Sequence, residues 1–271
     1  MFFLFISGEV INATRRLEYI DNIDINHCTF INCAGITHGG AFMIRFSPSM
    51  SIKSNRFEYC YAPYHGGGFF IDTDAKLVII KGNCGFRCGS RSSEGQMVCL
   101  LGGRQTEFMD NVMNECNYIY SGYNPLHLAN KLINIDIKFM NISNCVNNKE
   151  HNYACAFDIY QHNKMSLGYC VLDNNSYSGR VFYIFNKEEY VLSHMIITNN
   201  RPNHILFITY SPVVFEHSFI SNPGFKYDYN NTDVSFDIID AHLCIGRTDS
   251  FTSESGRHLP MILFLLFSMI E

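Results

Sequence analysis

Charge is scarce in this chain, and several kinds of chemistry are absent with it. Only 17% of its 271 residues are Asp, Glu, Lys or Arg, and the net charge is −5. No Lys/Arg stripe occurs, and Arg15-Arg16 is the only basic doublet, which argues against a nucleic-acid partner. No apolar run approaches the roughly 20 residues needed to span a bilayer as a helix. Residues 261–270 come nearest, ten residues interrupted by Ser268. No Gly-Lys-Ser/Thr motif follows Gly102-Gly103, so a phosphate-binding loop is missing. The Asp-Asp pair and the Gly-His-Gly and Arg-Ile-Lys motifs of polygalacturonase-like enzymes are missing too.

What the chain does have is a repeat. An apolar residue stands three positions before a Cys or Asn in Phe30-x-x-Cys33, Phe57-x-x-Cys60, Met113-x-x-Cys116, Ile142-x-x-Cys145, Leu172-x-x-Asn175, Ile197-x-x-Asn200 and Phe219-x-x-Asn222, with a weaker copy ending at Cys88. The terminal residues are 27, 28, 28, 29, 30, 25 and 22 apart, a period that means a solenoid. Eight residues before them stand Ile25, Ile52, Ile80, Phe108, Ile137, Leu167, Leu192 and Val214. With 47% apolar residues overall, eight in a row arise by chance about two times in a thousand, so the column is real. A second stretch alternates apolar residues at period 2, the strand signal. It reads Phe42/Ile44, Phe69/Ile71, Val98/Leu100, Leu126/Leu128, Phe157/Ile159, Phe182/Ile184, Leu206/Ile208 and Phe236/Ile238. Ser47-Pro48, Asp72-Thr73-Asp74, Gly102-Gly103, Asn186-Lys187 and Ser211-Pro212 follow it as turns.

Two solenoids fit. A leucine-rich repeat fills its second conserved position with apolar residues, whereas here that position holds Cys28, Asn55, Asn83, Asn111, Met140, Cys170, Met195 and His217. The return segments are β-branched or aromatic, which suits a pleated surface. The reading is therefore all-β, a single-stranded right-handed parallel β-helix of about eight coils, with a leucine-rich solenoid as the alternative. Residues 1–19 form an N-terminal apolar segment or cap, 20–245 the β-helix, and 246–271 a polar linker with a short apolar tail. At about 4.8 Å per coil, like residues stack into ladders. Asn55, Asn83 and Asn111 make one, bonding to the backbone of adjacent coils. Cys33, Cys60, Cys88, Cys116 and Cys145 make another, continued by Asn175, Asn200 and Asn222. Eleven cysteines leave at least one unpaired. The rung spacing exceeds the Cβ separation of a disulfide, so the ladder thiols are expected reduced.

Gly39-Gly40-Ala41-Phe42 and Gly66-Gly67-Gly68-Phe69, together with the Phe-x-x-Asn/Cys series, resemble the GGA and FxxN repeats of bacterial polymorphic outer membrane proteins. They are still more similar to the right-handed β-helix repeat proteins of parasitic protists, where Cys often replaces the Asn. The resemblance covers roughly residues 20–240. It implies a right-handed β-helix, an extracellular or cell-surface location, and adhesion to a host-cell protein or glycan. It supplies no catalytic residue and no cofactor.

The remaining candidates for chemistry are sparse. Asp72/Asp74, Glu188-Glu189 and Asp237/Asp240 with His242 are carboxylates for a polysaccharide lyase or glycoside hydrolase, the alternative function. Each reads more simply as a solvated turn. His38 and His65 each lie five residues after a ladder Cys and fall on neighbouring coils, but a metal site wants three or four ligands. Cys84-x-x-x-Cys88 lacks a second Cys pair. Sequons at Asn12, Asn141, Asn174 and Asn230 are candidate glycosylation sites. The short apolar run 1–6 is a poor signal peptide. Residues 250–270 have the outline of a lipid-anchor signal, so membrane attachment through a terminal segment stays open, as does a cytoplasmic location.

Overall fold

The computed structural model describes residues 3–91, 95–116, 124–146, 157–160, 164–176, 180–185, 190–201, 204–209, 213–221, 228–230 and 234–236. Among these the chain is a parallel β-solenoid without helices. One sheet holds nine strands, another seventeen, and a short pair completes the set. From Thr14 to Cys145 the chain makes about five turns with few undescribed residues, fewer than the eight expected. Parallel pairing continues beyond them.

One turn illustrates how sequence becomes wall and corner. Phe42–Arg45 forms the first wall, and Phe46 turns the corner in the left-handed region (φ 57°). Ser49–Lys53 forms the second wall, alternating partly buried and buried side chains so that Met50 and Ile52 face inward. Ser54 turns the next corner at φ 54°, and Arg56–Glu58 forms the third wall with Phe57 inward. Tyr59 turns again at φ 52°. Left-handed residues recur at the last two corners in successive turns, and they let the chain turn from one wall to the next within two or three residues.

The registers set the inward apolar residues of successive turns in one column. Ile25 pairs with Ile52, Ile52 with Ile80, Ile80 with Phe108, Phe108 with Ile137, Ile137 with Leu167 and Leu167 with Leu192. Phe30 stacks on Phe57 at 5.0 Å and 3°, and Phe42 on Phe69 at 5.1 Å and 17°. Every one of these side chains is buried. Each contributes roughly 1.5–3 kcal/mol by leaving water.

Three sequence expectations require correction. The final repeat lies one residue from the expected register: Leu192 pairs with Phe215 and Ile196 with Phe219. Phe215 is buried and Val214 only partly so; the second-position residue there is Ser218, not His217. A one-residue slip exchanges inward and outward faces, and Phe219 mimicked the inward residue. Asn222 itself lies outside the described residues. Phe236 belongs to the Ile25 column, since it pairs with Phe215. Gly102-Gly103 is not a loop either. It is a bulge inside one continuous strand, Val98–Met109, that carries both walls around their corner.

The first nineteen residues also supply strands. Phe3–Ser7 pairs with Asn22–Asn26, and Arg15–Glu18 with Phe42–Arg45, so Ile6, Ile11 and Leu17 start the core.

The glycine doublets have a steric cause. Gly39 and Gly66 adopt φ of 65° and 67°. Their neighbours pack backbone on backbone: a Cβ on Gly40 would lie 1.9 Å from Gly67 O, and one on Gly67 2.2 Å from Gln96 O. These segments close over the outside of the first wall, where Met43, Phe70 and Cys99 form a second apolar cluster.

Candidate functional site

Among the described residues, the inward Asn and Cys side chains make structural contacts. Asn55, Asn83 and Asn111 form a continuous amide chain. Asn55 Nδ2 donates to Asn83 Oδ1 at 3.0 Å, and Asn83 Nδ2 to Asn111 Oδ1 at 3.0 Å. Their amides also donate to Ile25 O, Ile52 O and Ile80 O on the preceding turn. Asn175 and Asn200 repeat the device at the other corner, donating to Ile142 O and Leu172 O at 2.8 Å each.

The cysteine ladder is a weaker version of the same contact. Cys33 Sγ donates to Ile11 O at 3.3 Å, Cys60 Sγ to Phe30 O at 3.5 Å, and Cys88 Sγ to Phe57 O at 3.5 Å. Cys116 and Cys145 reach Gly85 O and Met113 O at 4.0 and 3.7 Å. These carbonyls occupy the same rung position as Ile142 O, so a thiol does the donor's work of an amide. The nine described cysteines are free thiols. Hydrogen bonding to Cys60, then burial, raises the Cys33 thiol. Hydrogen bonding to Cys145, then burial, raises Cys116. Cys84 is pushed up to about 12, chiefly by desolvation. It lies outside the core that contains Cys88, so the pair does not converge.

The titratable candidates on the outer wall are placed as follows. Asp72 pairs with Arg45 at 3.5 Å, and Asp74 is exposed just beyond that strand. Glu188, Glu189, Asp237, Asp240 and His242 lie outside the described residues. His38 and His65 do fall on adjacent turns, with rings 5.1 Å apart and 14° from parallel. A metal sits about 2.0–2.1 Å from each imidazole nitrogen, roughly in the ring plane, so nearly parallel rings this far apart do not chelate one ion as placed. His38 instead roofs Phe70 at 4.7 Å. Burial, then Arg45, lowers its pKa, against an opposing pull from Asp72.

The corners carry what sequence reading missed: aromatic residues at left-handed backbone positions. Such a residue strains the backbone by roughly 1–2 kcal/mol where glycine would not. Phe139, Tyr169, His194 and His217 stack in sequence on one corner, with centroids 5.2, 4.3 and 5.1 Å apart. On a second corner Arg87 lies 4.9 Å above the Phe86 ring, 5.8 Å above Tyr59, and 2.8 Å from Glu115. On a third, Tyr19 stacks on Phe46 at 4.9 Å and 18°, and the two are 71% and 53% exposed. Beside that pair runs an open groove lined by Asp21, Asn22, Pro48, Ser49, Lys76 and Leu77. A signal did exist in the sequence: these residues fall two positions after an inward apolar residue, as Tyr19 follows Leu17 and Phe46 follows Ile44.

Of the sequons, Asn12 is exposed. Asn174 is exposed but donates to Asn144 Oδ1 at 2.7 Å. Asn141 lies partly buried in the strand Asn141–Ser143, and Asn230 falls in Asp228–Asn230. Among the described residues no helix is long and apolar enough to cross a membrane, and residues 261–270 lie outside them. No protein-family model, curated protein or solved structure matches the chain.

Proposed function

We propose that this chain is a non-catalytic interaction module, displayed at a cell surface or secreted, that holds a partner in the manner of an adhesin. The supporting observation is the stacked aromatic residues on strained, outward corners. Exposed rings at left-handed positions bring the solenoid little beyond their mutual stacking, roughly 0.5–1.5 kcal/mol per pair, and cost backbone strain of similar size. Strain kept where it does not serve the fold is a pointer to function. The finer resemblance to polymorphic outer membrane protein repeats, and a right-handed coil, belong to this same reading.

Two measurements test it. The soluble chain is expected to bind host-type cells above the level of a scrambled solenoid control. A tagged copy is expected to be stained in intact cells without permeabilisation. Turnover of a polysaccharide, lost in Asp72→Asn, would replace the reading with a carbohydrate-active enzyme.

A further inference from the structure

We propose that the corner made by Tyr19 and Phe46, with the groove beside it, binds a neutral pyranose ring of a glycan. The inference rests on the interaction-module reading and gives it a ligand class and a place.

The first argument is the exposure of an aromatic pair. Arg15–Glu18 pairs with Phe42–Arg45, the first strand pair of that wall among the described residues. Tyr19 stacks on Phe46 at 4.9 Å and 18°. Its 71% exposure and the 53% of Phe46 set this pair apart from the Phe139 ridge, where the leading ring is 37% exposed. An aromatic face carries negative charge density and attracts the polarised C–H groups on one side of a pyranose.

The groove supplies the second argument. It begins two residues past Tyr19, at Asp21 and Asn22, and crosses the next turns at Ser49 and Lys76. Carboxylate, carboxamide, hydroxyl and ammonium together offer both acceptors and donors to a ring of hydroxyls. Pro48 and Leu77 give the same groove an apolar side. One acidic and one basic side chain leave it near neutrality, which disfavours a polyanion. A purely apolar ligand would leave the polar lining desolvated and unpaired. A ligand with one apolar face and a rim of hydroxyls satisfies both halves of the corner.

Backbone conformation provides the third. Tyr19 and Phe46 sit at φ of 56° and 57°, while the next turn fills the equivalent place with Thr73, buried and donating to Ser47 O at 2.6 Å. The solenoid can thus turn this corner without an aromatic residue.

Saturation-transfer NMR with the full chain would test the site. The probes are methyl α- and β-glycosides of glucose, galactose, mannose and N-acetylglucosamine and their β-linked tetrasaccharides. At least one is expected to bind, with saturation concentrated on the C–H face of a terminal ring. Tyr19→Asn removes the ring yet suits a left-handed position, so the variant folds, as an unchanged circular dichroism spectrum would verify. It should bind about tenfold more weakly, the equivalent of one ring contact. Phe46→Asn should weaken binding too, and Phe139→Asn on the other ridge should leave it unchanged. Equal affinity in Tyr19→Asn would overturn the site while leaving the interaction module standing. Binding of no saccharide, or of a peptide in their place, would overturn the ligand class. Loss of cell binding by the unmodified chain would sink the broader reading separately.

Discussion

Replacing Asn83 by alanine should cost about 3–5 kcal/mol, far more than its size suggests. The side chain is 2% exposed and makes four hydrogen bonds. Its Oδ1 accepts from Asn55 N at 3.1 Å and Asn55 Nδ2 at 3.0 Å. Its Nδ2 donates to Ile52 O at 2.9 Å and Asn111 Oδ1 at 3.0 Å. Each net bond is worth about 0.5–1 kcal/mol, and a buried donor left without an acceptor adds about 1 kcal/mol. The Asn55 N–H is that donor, because Asn55 Nδ2 keeps Ile25 O. Asn83→Asp should be worse at pH 7. A carboxylate accepts only, and it would face Ile52 O and Asn111 Oδ1 across buried space. Acidification should partly rescue that variant by restoring one donor. A solenoid unfolds turn by turn, so hydrogen exchange resolved by residue is a better assay than a single melting temperature. The amides of Cys28, Asn55 and Asn83 should exchange about a hundredfold faster in Asn83→Ala. Unchanged protection at these three positions would refute the ladder as a stabilising element.

Other consequences are quicker to check. Thr106 is 1% exposed, stands between Val78 and Ile135 in the ladder, and its buried hydroxyl has no hydrogen-bond partner. Thr106→Val should therefore raise stability by about 1 kcal/mol in urea titration, and a loss would contradict the assignment of that hydroxyl. Gly67→Ala puts a Cβ 2.2 Å from Gln96 O and 2.3 Å from Gly89 O, both backbone atoms. It should cost about 3 kcal/mol or more and open the segment over Phe70, read as faster exchange there. The thiols set an alkaline limit. Cys33, Cys60 and Cys116 are raised above the ordinary 9.0, and Cys84 to about 12. Their contribution is complete below pH 9 and falls away above it, because the unfolded chain ionises first. A denaturation midpoint that stays flat from pH 8 to 11 would contradict this.

The inward half of the structure was legible because geometry forces it to repeat. Residues one turn apart share a site, so Ile25, Ile52 and Ile80 agree in character, and so do Phe30 and Phe57, which stack at 5.0 Å. Legibility failed where a residue's side was not fixed by its type. Phe219 is apolar yet lies in the column of Ile196, which is partly exposed, so Phe-x-x-Asn matched the motif at the wrong offset. The turn before Thr14 was missed for a different reason. It is short and has neither a ladder Cys nor a glycine doublet, and Thr14 fills the place with a hydroxyl bonded to Gly40 O at 2.5 Å. For candidate sites, spacing put His38 and His65 on adjacent turns, but only coordinates show their rings parallel over Phe70.

The division between wall and corner explains why function was the harder question. Inward positions answer to the same constraint on every turn, so they converge on Ile, Phe, Asn and Cys. Corner residues in the left-handed region answer to a milder one: glycine, Asn, Asp and Ser meet it at little or no cost. The column Gly8, His27, Ser54, Gly82 and Asp110 follows that preference except at His27. From Phe139 onward the same column turns to Phe, Tyr, His and His. Backbone preference does not account for that change, and neither does core packing, since these side chains point outward. Stacking alone offsets only part of the strain. Converting Tyr169 to Asn separates the two demands. If the aromatic corner serves the fold, hydrogen exchange beneath it at Cys170 and Val171 should quicken. If it serves a partner, protection there should hold or improve, because the backbone strain is relieved and only an outward contact is lost.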